Sequence, residues 1–197
     1  MEIVLVTITF IDIVLAIMII VTSVSLTKRQ DRLRHYHYVF RKRLRLLRHF
    51  KALYHSYSLY RSAFGLGVDN FLKDEQLYQL ARNEYLGEDV SCLATLDKHG
   101  AYQIFREKLH QLDLLSEDLE VLYSEGEAKL MQDFIFWYRI LLSEIGNRKR
   151  QASKENELDP IHRRSMEAEV KNLERCYQEL QESRLLGDLE AKVKLKC

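Results

Sequence analysis

Hydrophobic positions follow two regimes along this chain. From Ile3 to Leu26 they run almost without interruption, and Asp12 is the only charged residue among them. At about 1.5 Å per residue such a helix is roughly 36 Å long, enough to cross a hydrocarbon core of about 30 Å. The pattern predicts one transmembrane helix, an anchor over residues 1–27. Only Met1 and Glu2 precede the apolar run, without the basic start of a cleaved signal peptide.

After this run the pattern becomes helical. Leu33, Tyr36, Phe40, Leu44, Leu47, Phe50, Tyr54 and Tyr57 recur at intervals of three and four, one face of a helix over 28–64. No breaker separates that helix from the apolar run, so the two are expected to form one rod. "GLG" at Gly65–Gly67 ends it. Shorter helices are predicted over Asn70–Leu86, Asp89–Leu96 and Ala101–Leu115. A further helix starts at Ser116 as N-cap, with Glu117 and Asp118 in its first turn.

Gly126 interrupts, and Glu127 to Arg150 follows with "FIFWYRILL", the expected core helix with Trp137 as a packing residue. "QASKENEL" reads as a polar linker. Asp159-Pro160 is a helix start with proline at N1. Met166, Val170, Leu173, Tyr177 and Leu180 then follow at the heptad spacing of a coiled coil over about two repeats, and Gly187 closes the helix. The expected fold is all-α: a transmembrane helix (1–27), a basic juxtamembrane helix (28–64), a helical domain (65–151), and a linker with a C-terminal amphipathic helix (152–197).

Charge changes the picture next. The whole chain carries a formal net charge of only +1. Residues 28–64 nonetheless hold eleven Lys or Arg and one acid, while residues 65–135 hold six against fifteen acids. Lys28, Arg29, Arg32, Arg34, Arg41, Lys42, Arg43, Arg45 and Arg48 follow the apolar run directly. Basic flanks stay cytoplasmic, which predicts a single-pass membrane protein with its N-terminus outside and its helical domain in the cytoplasm, the inner membrane if bacterial. These cations suit anionic lipid headgroups. Two other readings are pairing with the acidic segment and binding nucleic acid with help from Tyr36, Tyr38, Tyr54, Tyr57 and Tyr60. Helical spacing accounts for many of those tyrosines as packing residues, which disfavours nucleic acid. Cys92, Cys176 and Cys197 are odd in number and widely spaced, as free thiols are.

A carboxylate at membrane depth is costly, which marks Asp12 as the intramembrane functional candidate. Leu5, Thr9, Ala16 and Ser23 share its helical face, and small or hydroxyl residues there suit close helix packing. The partners expected are membrane lipids and other membrane subunits or a second copy of the chain. "TFIDIVLAIMII" resembles the transmembrane helix of the ExbD/TolR family, through Phe10, Ile11, Asp12, Ile13, Leu15 and the aliphatic run to Ile20. That resemblance implies a proton-motive-force-driven machine, with Asp12 as proton acceptor and a multi-span channel-forming partner.

Catalytic patterns are sparse. There is no Gly-rich phosphate loop, nucleophile elbow or paired-cysteine metal motif. Glu107 and His110 form one E-x-x-H, the half-motif of a di-iron bundle, and Asp159 with His162 is its nearest echo. His35 and His37 lie on nearly opposite helix faces, which disfavours joint chelation. No metal or cofactor is expected. The leading expectation is a non-enzymatic, membrane-anchored assembly or regulatory subunit. The alternative is an ion-coupled motor or channel subunit using Asp12.

Overall fold

The computed structural model describes residues 2–68, 80, 86, 99–151 and 160–194, with side chains for all of these except 2–14, 16, 99, 149–151 and 193–194. Its helices are α1 (Glu2–Phe64), α2 (His99–Leu122), α3 (Glu125–Gln151), α4 (Pro160–Glu182) and α5 (Leu185–Lys194). The chain divides into two units, Met1–Lys42 and Arg43–Cys197.

The long α1 is a direct consequence of composition. No glycine or proline occurs before Gly65, so nothing in the sequence breaks the hydrogen-bond ladder. Gly65 then adopts φ +70° and its N–H donates to the Arg61 carbonyl at 3.0 Å. That is the left-handed glycine cap by which many helices end.

The membrane anchor needs correction. Among the described residues, no helix is long and apolar enough to cross a membrane. The all-α class stands without its transmembrane helix. The readings that depended on a span fall with it: the membrane-anchored subunit, the single-pass topology and localisation, and membrane lipids and membrane subunits as partners. The ExbD/TolR likeness and the ion-coupled alternative fall too.

Within Arg43–Cys197 the helices form an up-down bundle. The hydroxyl of Tyr123, at the α2–α3 turn, donates to the Arg43 carbonyl at 2.8 Å, while Phe50 and Tyr57 meet Phe134 further along α3. α1 and α3 therefore run in the same direction. α2 runs opposite to α3, with Tyr102 bonded to Asn147 and Asp113 paired with Arg139 at 2.7 Å. α4 opposes α1, since Arg61 meets Glu174 while Ser58 meets Tyr177.

Each helix buries one stripe. On α1 it is Leu46, Leu47, Phe50, Leu53, Tyr57 and Tyr60; on α2, Phe105, Leu109, Leu112, Leu115, Leu119 and Leu122. Phe134 is the centre of the core, with ring contacts to Phe50, Tyr54, Tyr57 and Tyr138 at 5.6 to 5.9 Å. "FIFWYRILL" thus supplies the core as expected, except that Phe136 is exposed. The heptad positions Met166, Val170, Leu173, Tyr177 and Leu180 are all buried. Gly146 permits α2 and α3 to approach, because a Cβ there would overlap the Phe105 ring.

Three boundaries differ from the sequence reading. Ser116 does not start a helix: α2 runs through it, because the Leu112, Leu115 and Leu119 stripe is unbroken there. The true N-cap is Ser124, whose N–H donates to Glu127 at 3.2 Å while its carbonyl takes the first helical bond from Ala128. The chain turns at Ser183–Arg184, with Gly187 inside α5. Ser183 Oγ bridges there, donating to Leu180 O and accepting from Leu185 N–H, and Arg184 takes φ 53°. The helices expected over 70–86 and 89–96 lie outside the described residues, apart from Leu80 and Leu86, both of them buried.

Candidate functional site

The basic segment of α1 is the first candidate. In the first unit Lys28, Arg29, Arg32, Arg34 and Arg41 are exposed, and Lys42 is half-buried. Among the described residues none of the exposed five meets a carboxylate. Tyr36 and Tyr38 stand among them, 45% and 65% exposed. Leu33 is exposed as well, so the predicted apolar stripe is not covered at its N-terminal end. In the second unit Arg43, Arg45 and Arg48 are also exposed. Arg43 is partly engaged there, its guanidinium 5.9 Å from the Tyr123 ring.

Among the described acids of residues 65–135, two are taken within the bundle. Asp113 is taken by Arg139 and Glu127 by Lys192 at 2.7 Å. Arg43 lies beside the Tyr123 hydroxyl, which burial pushes up to about 12.

N-terminal to the basic segment, Leu15, Ile17, Met18, Ile19, Ile20, Val21, Val24 and Leu26 are exposed, with nothing among the described residues packed on them. Contiguous apolar exposure of this kind marks an interaction surface. The side chains of Asp12, Leu5, Thr9 and Ala16 lie outside the described residues. Ser23 is exposed, and its carbonyl accepts Thr27 Oγ1 at 2.9 Å. Of the predicted packing face, Ser23 is thus the one position whose side chain is described.

The second candidate is a polar cluster between α1 and α4 that the sequence reading missed. Glu174 is only 8% exposed. Its carboxylate accepts the Tyr57 hydroxyl at 3.1 Å, Gln178 Nε2 at 2.9 Å and Arg61 Nη2 at 2.7 Å. Arg61 lies 5.1 Å from the centre of the Tyr177 ring, which stacks on Tyr54 at 4.7 Å and donates its hydroxyl to Ser58. The signal was available: Glu174 sits four residues after Val170 and three before Tyr177, an acid within an apolar stripe.

Its chemistry is that of a clasp. Burial, then the Glu174 charge, holds the Tyr57 hydroxyl far above the usual phenol range; burial does the same for Tyr54, assisted by its hydrogen bond with Tyr177. These phenols stay protonated near neutral pH and offer no general base. Glu174 is buried and Arg61 partly exposed, so the pair joins α1 to α4 with only one of its charges largely withdrawn from water.

Glu107 and His110 have their neighbours on their own helix. Glu107 lies near Gln103 Nε2 at 3.5 Å, and His110 is 3.9 Å from Asp113. Among the described residues no group of three or more potential ligands could hold a metal ion. His35 and His37 are exposed in the basic segment. Asp159 lies outside the described residues, as do Cys92 and Cys197. Cys176 is buried, and burial followed by the charges of Asp133 and Glu179 pushes its thiol above the usual range. Such a thiol is a poor nucleophile. Compared with known proteins, the chain matches no family model, no curated protein and no solved structure.

Proposed function

We propose that this chain is a non-enzymatic helical binding module. The bundle is its folded support, and the basic segment around Lys28–Arg41 is its contact surface for a polyanion. One observation carries the reading: Lys28, Arg29, Arg32, Arg34 and Arg41 are exposed and unmatched by carboxylates among the described residues. Unneutralised cations concentrated on one stretch of helix attract an anionic partner electrostatically, and the attraction falls as salt screens it.

The test is binding of fluorescent heparin to the full chain by anisotropy at two salt concentrations. Binding that weakens steeply with salt is expected. The variant with Lys28, Arg29, Arg32 and Arg34 all changed to Gln should bind at least about tenfold more weakly. Equal binding by the variant and the native chain overturns the reading.

A further inference from the structure

Residues 28–42 hold two kinds of side chain suited to a nucleic acid, and the structure separates them from those that serve packing. Tyr54, Tyr57 and Tyr60 stand within the bundle, two of them fully buried and Tyr54 stacked on Tyr177. Helical spacing explains these three as packing residues. It does not explain Tyr36 and Tyr38, which keep 45% and 65% of their surface exposed. Both lie in the stretch where the arginines have no carboxylate partner among the described residues.

The placement is regular. Tyr36 follows Arg32 by four residues and Arg29 by seven, so these three share one face. Tyr38 follows Arg34 by four and precedes Arg41 by three, so these share another. Residues two apart on a helix point to nearly opposite sides. Each face therefore carries two guanidinium groups and one ring. Tyr36 meets the His37 imidazole edge-on, with centroids 6.1 Å apart.

We propose that the polyanion is single-stranded nucleic acid, with the arginines on its phosphates and Tyr36 and Tyr38 stacked on its bases. This rests on the polyanion reading above and narrows it. Guanidinium groups pair with phosphate oxygens through two parallel hydrogen bonds. Aromatic rings stack on unpaired bases of any sequence, which is how single strands are bound without sequence preference. A duplex keeps its base faces within its own stack and gives these rings nothing to cover. An acidic protein would use the arginines and leave the rings without a role. The strand is engaged over a few nucleotides on each face, with little sequence preference and a strong dependence on salt.

The experiment compares ligands of similar charge on the full chain: fluorescent oligo-dT, the same length of duplex, inorganic polyphosphate, poly-glutamate and vesicles containing phosphatidylserine. Oligo-dT is expected to bind best. Tyr36→Ala and Tyr38→Ala should each weaken it by roughly fivefold or more, and Tyr→Phe by much less. Neither alanine variant should alter binding of polyphosphate. Because both side chains are exposed, thermal unfolding of these variants serves as the control for folding. Polyphosphate bound as well as oligo-dT, with no effect of either tyrosine, overturns the nucleic-acid assignment and leaves the polyanion reading intact. Tighter binding of poly-glutamate or vesicles overturns it in the same way. If no anion binds, both proposals fall.

Discussion

Two sets of cations on this chain have opposite surroundings. In the bundle Lys51 meets Glu190, Arg61 meets Glu174, Arg139 meets Asp113 and Lys192 meets Glu127. Each pair joins two different helices. In residues 28–41 five cations stand exposed without such partners among the described residues. The difference separates cations paired between helices from cations without such a pair among the described residues. It also explains why a whole-chain charge of +1 is uninformative: the compensation is spatially uneven.

The strongest way to test the first half of that contrast is to remove the core on which the paired cations depend. Phe134 is fully buried and touches four aromatic rings. Phe134→Ala should lower the unfolding free energy by about 3–5 kcal/mol in urea titration. A loss under about 1 kcal/mol would mean that the bundle is not organised around this ring.

Next in size is the clasp. Glu174→Ala leaves Arg61 and the Tyr57 hydroxyl without their shared acceptor. Arg61 keeps 37% of its side chain exposed, so water offsets part of the loss. About 2 kcal/mol is expected, below the range for a fully buried pair. Changing Arg61→Met alongside should recover part of it, and a double-mutant cycle measures the coupling. Strict additivity would show that the pair does not act as a unit.

A comparable but more local effect is expected at Gly146. Gly146→Ala places a methyl group against the Phe105 ring, which is itself buried. The helices must separate or the ring must move, at a cost of about 1–3 kcal/mol. Pairing the change with Phe105→Leu should reduce that cost, and no reduction would point to some other constraint on the glycine.

Smaller still are two opposite pH effects. The hydrogen bond from Lys192 holds Glu127 below the usual carboxylate range, with Ser124 also contributing. Its stabilisation is present above the ordinary carboxylate pKa and is lost as pH falls through the lower folded value. Glu127→Gln should therefore destabilise the chain near neutral pH and do little in acid. Burial, then the Glu144 charge, raises Glu169. Its contribution is present below the ordinary pKa and is lost as pH rises through the raised folded value, so Glu169→Gln should stabilise the chain near neutral pH. Thermal unfolding across pH 3 to pH 8 (about the carboxylate range and beyond) reads both, and the same sign for the two variants would contradict the assignment.

These residues also show how much the sequence disclosed. Periodicity located the core-facing stripes of α2, α3 and α4, because burial on one helix face requires spacings of three and four. It overextended the α1 stripe to Leu33 and Tyr36, since spacing alone does not reveal whether a neighbour is present. It placed a helix start at Ser116, where a serine merely lies within a continuing stripe, and overlooked Ser124, whose Glu127 completes the cap. The clasp was harder to see, because a buried acid becomes intelligible only once Arg61, far away in sequence, is opposite it. The basic segment was plain from composition. Its two exposed tyrosines were not distinguishable from the three that pack.

The smallest expected effect sharpens the comparison most. Changing Lys28, Arg29, Arg32 and Arg34 together to Gln removes four charges from an exposed stretch of α1. Glutamine is about as good a helix former as lysine or arginine, so local propensity scarcely changes. None of the four forms an ion pair among the described residues, so the unfolding free energy should stay within about 0.5 kcal/mol of the native value in urea. Relief of repulsion between Lys28 and Arg32 and between Arg29 and Arg32 is offset by loss of the attraction of Asp31 for Lys28 and Arg34, each three residues away. A loss above about 1 kcal/mol would show that these cations are structural, and the division between cations that hold the fold and cations that await a ligand would no longer describe this chain.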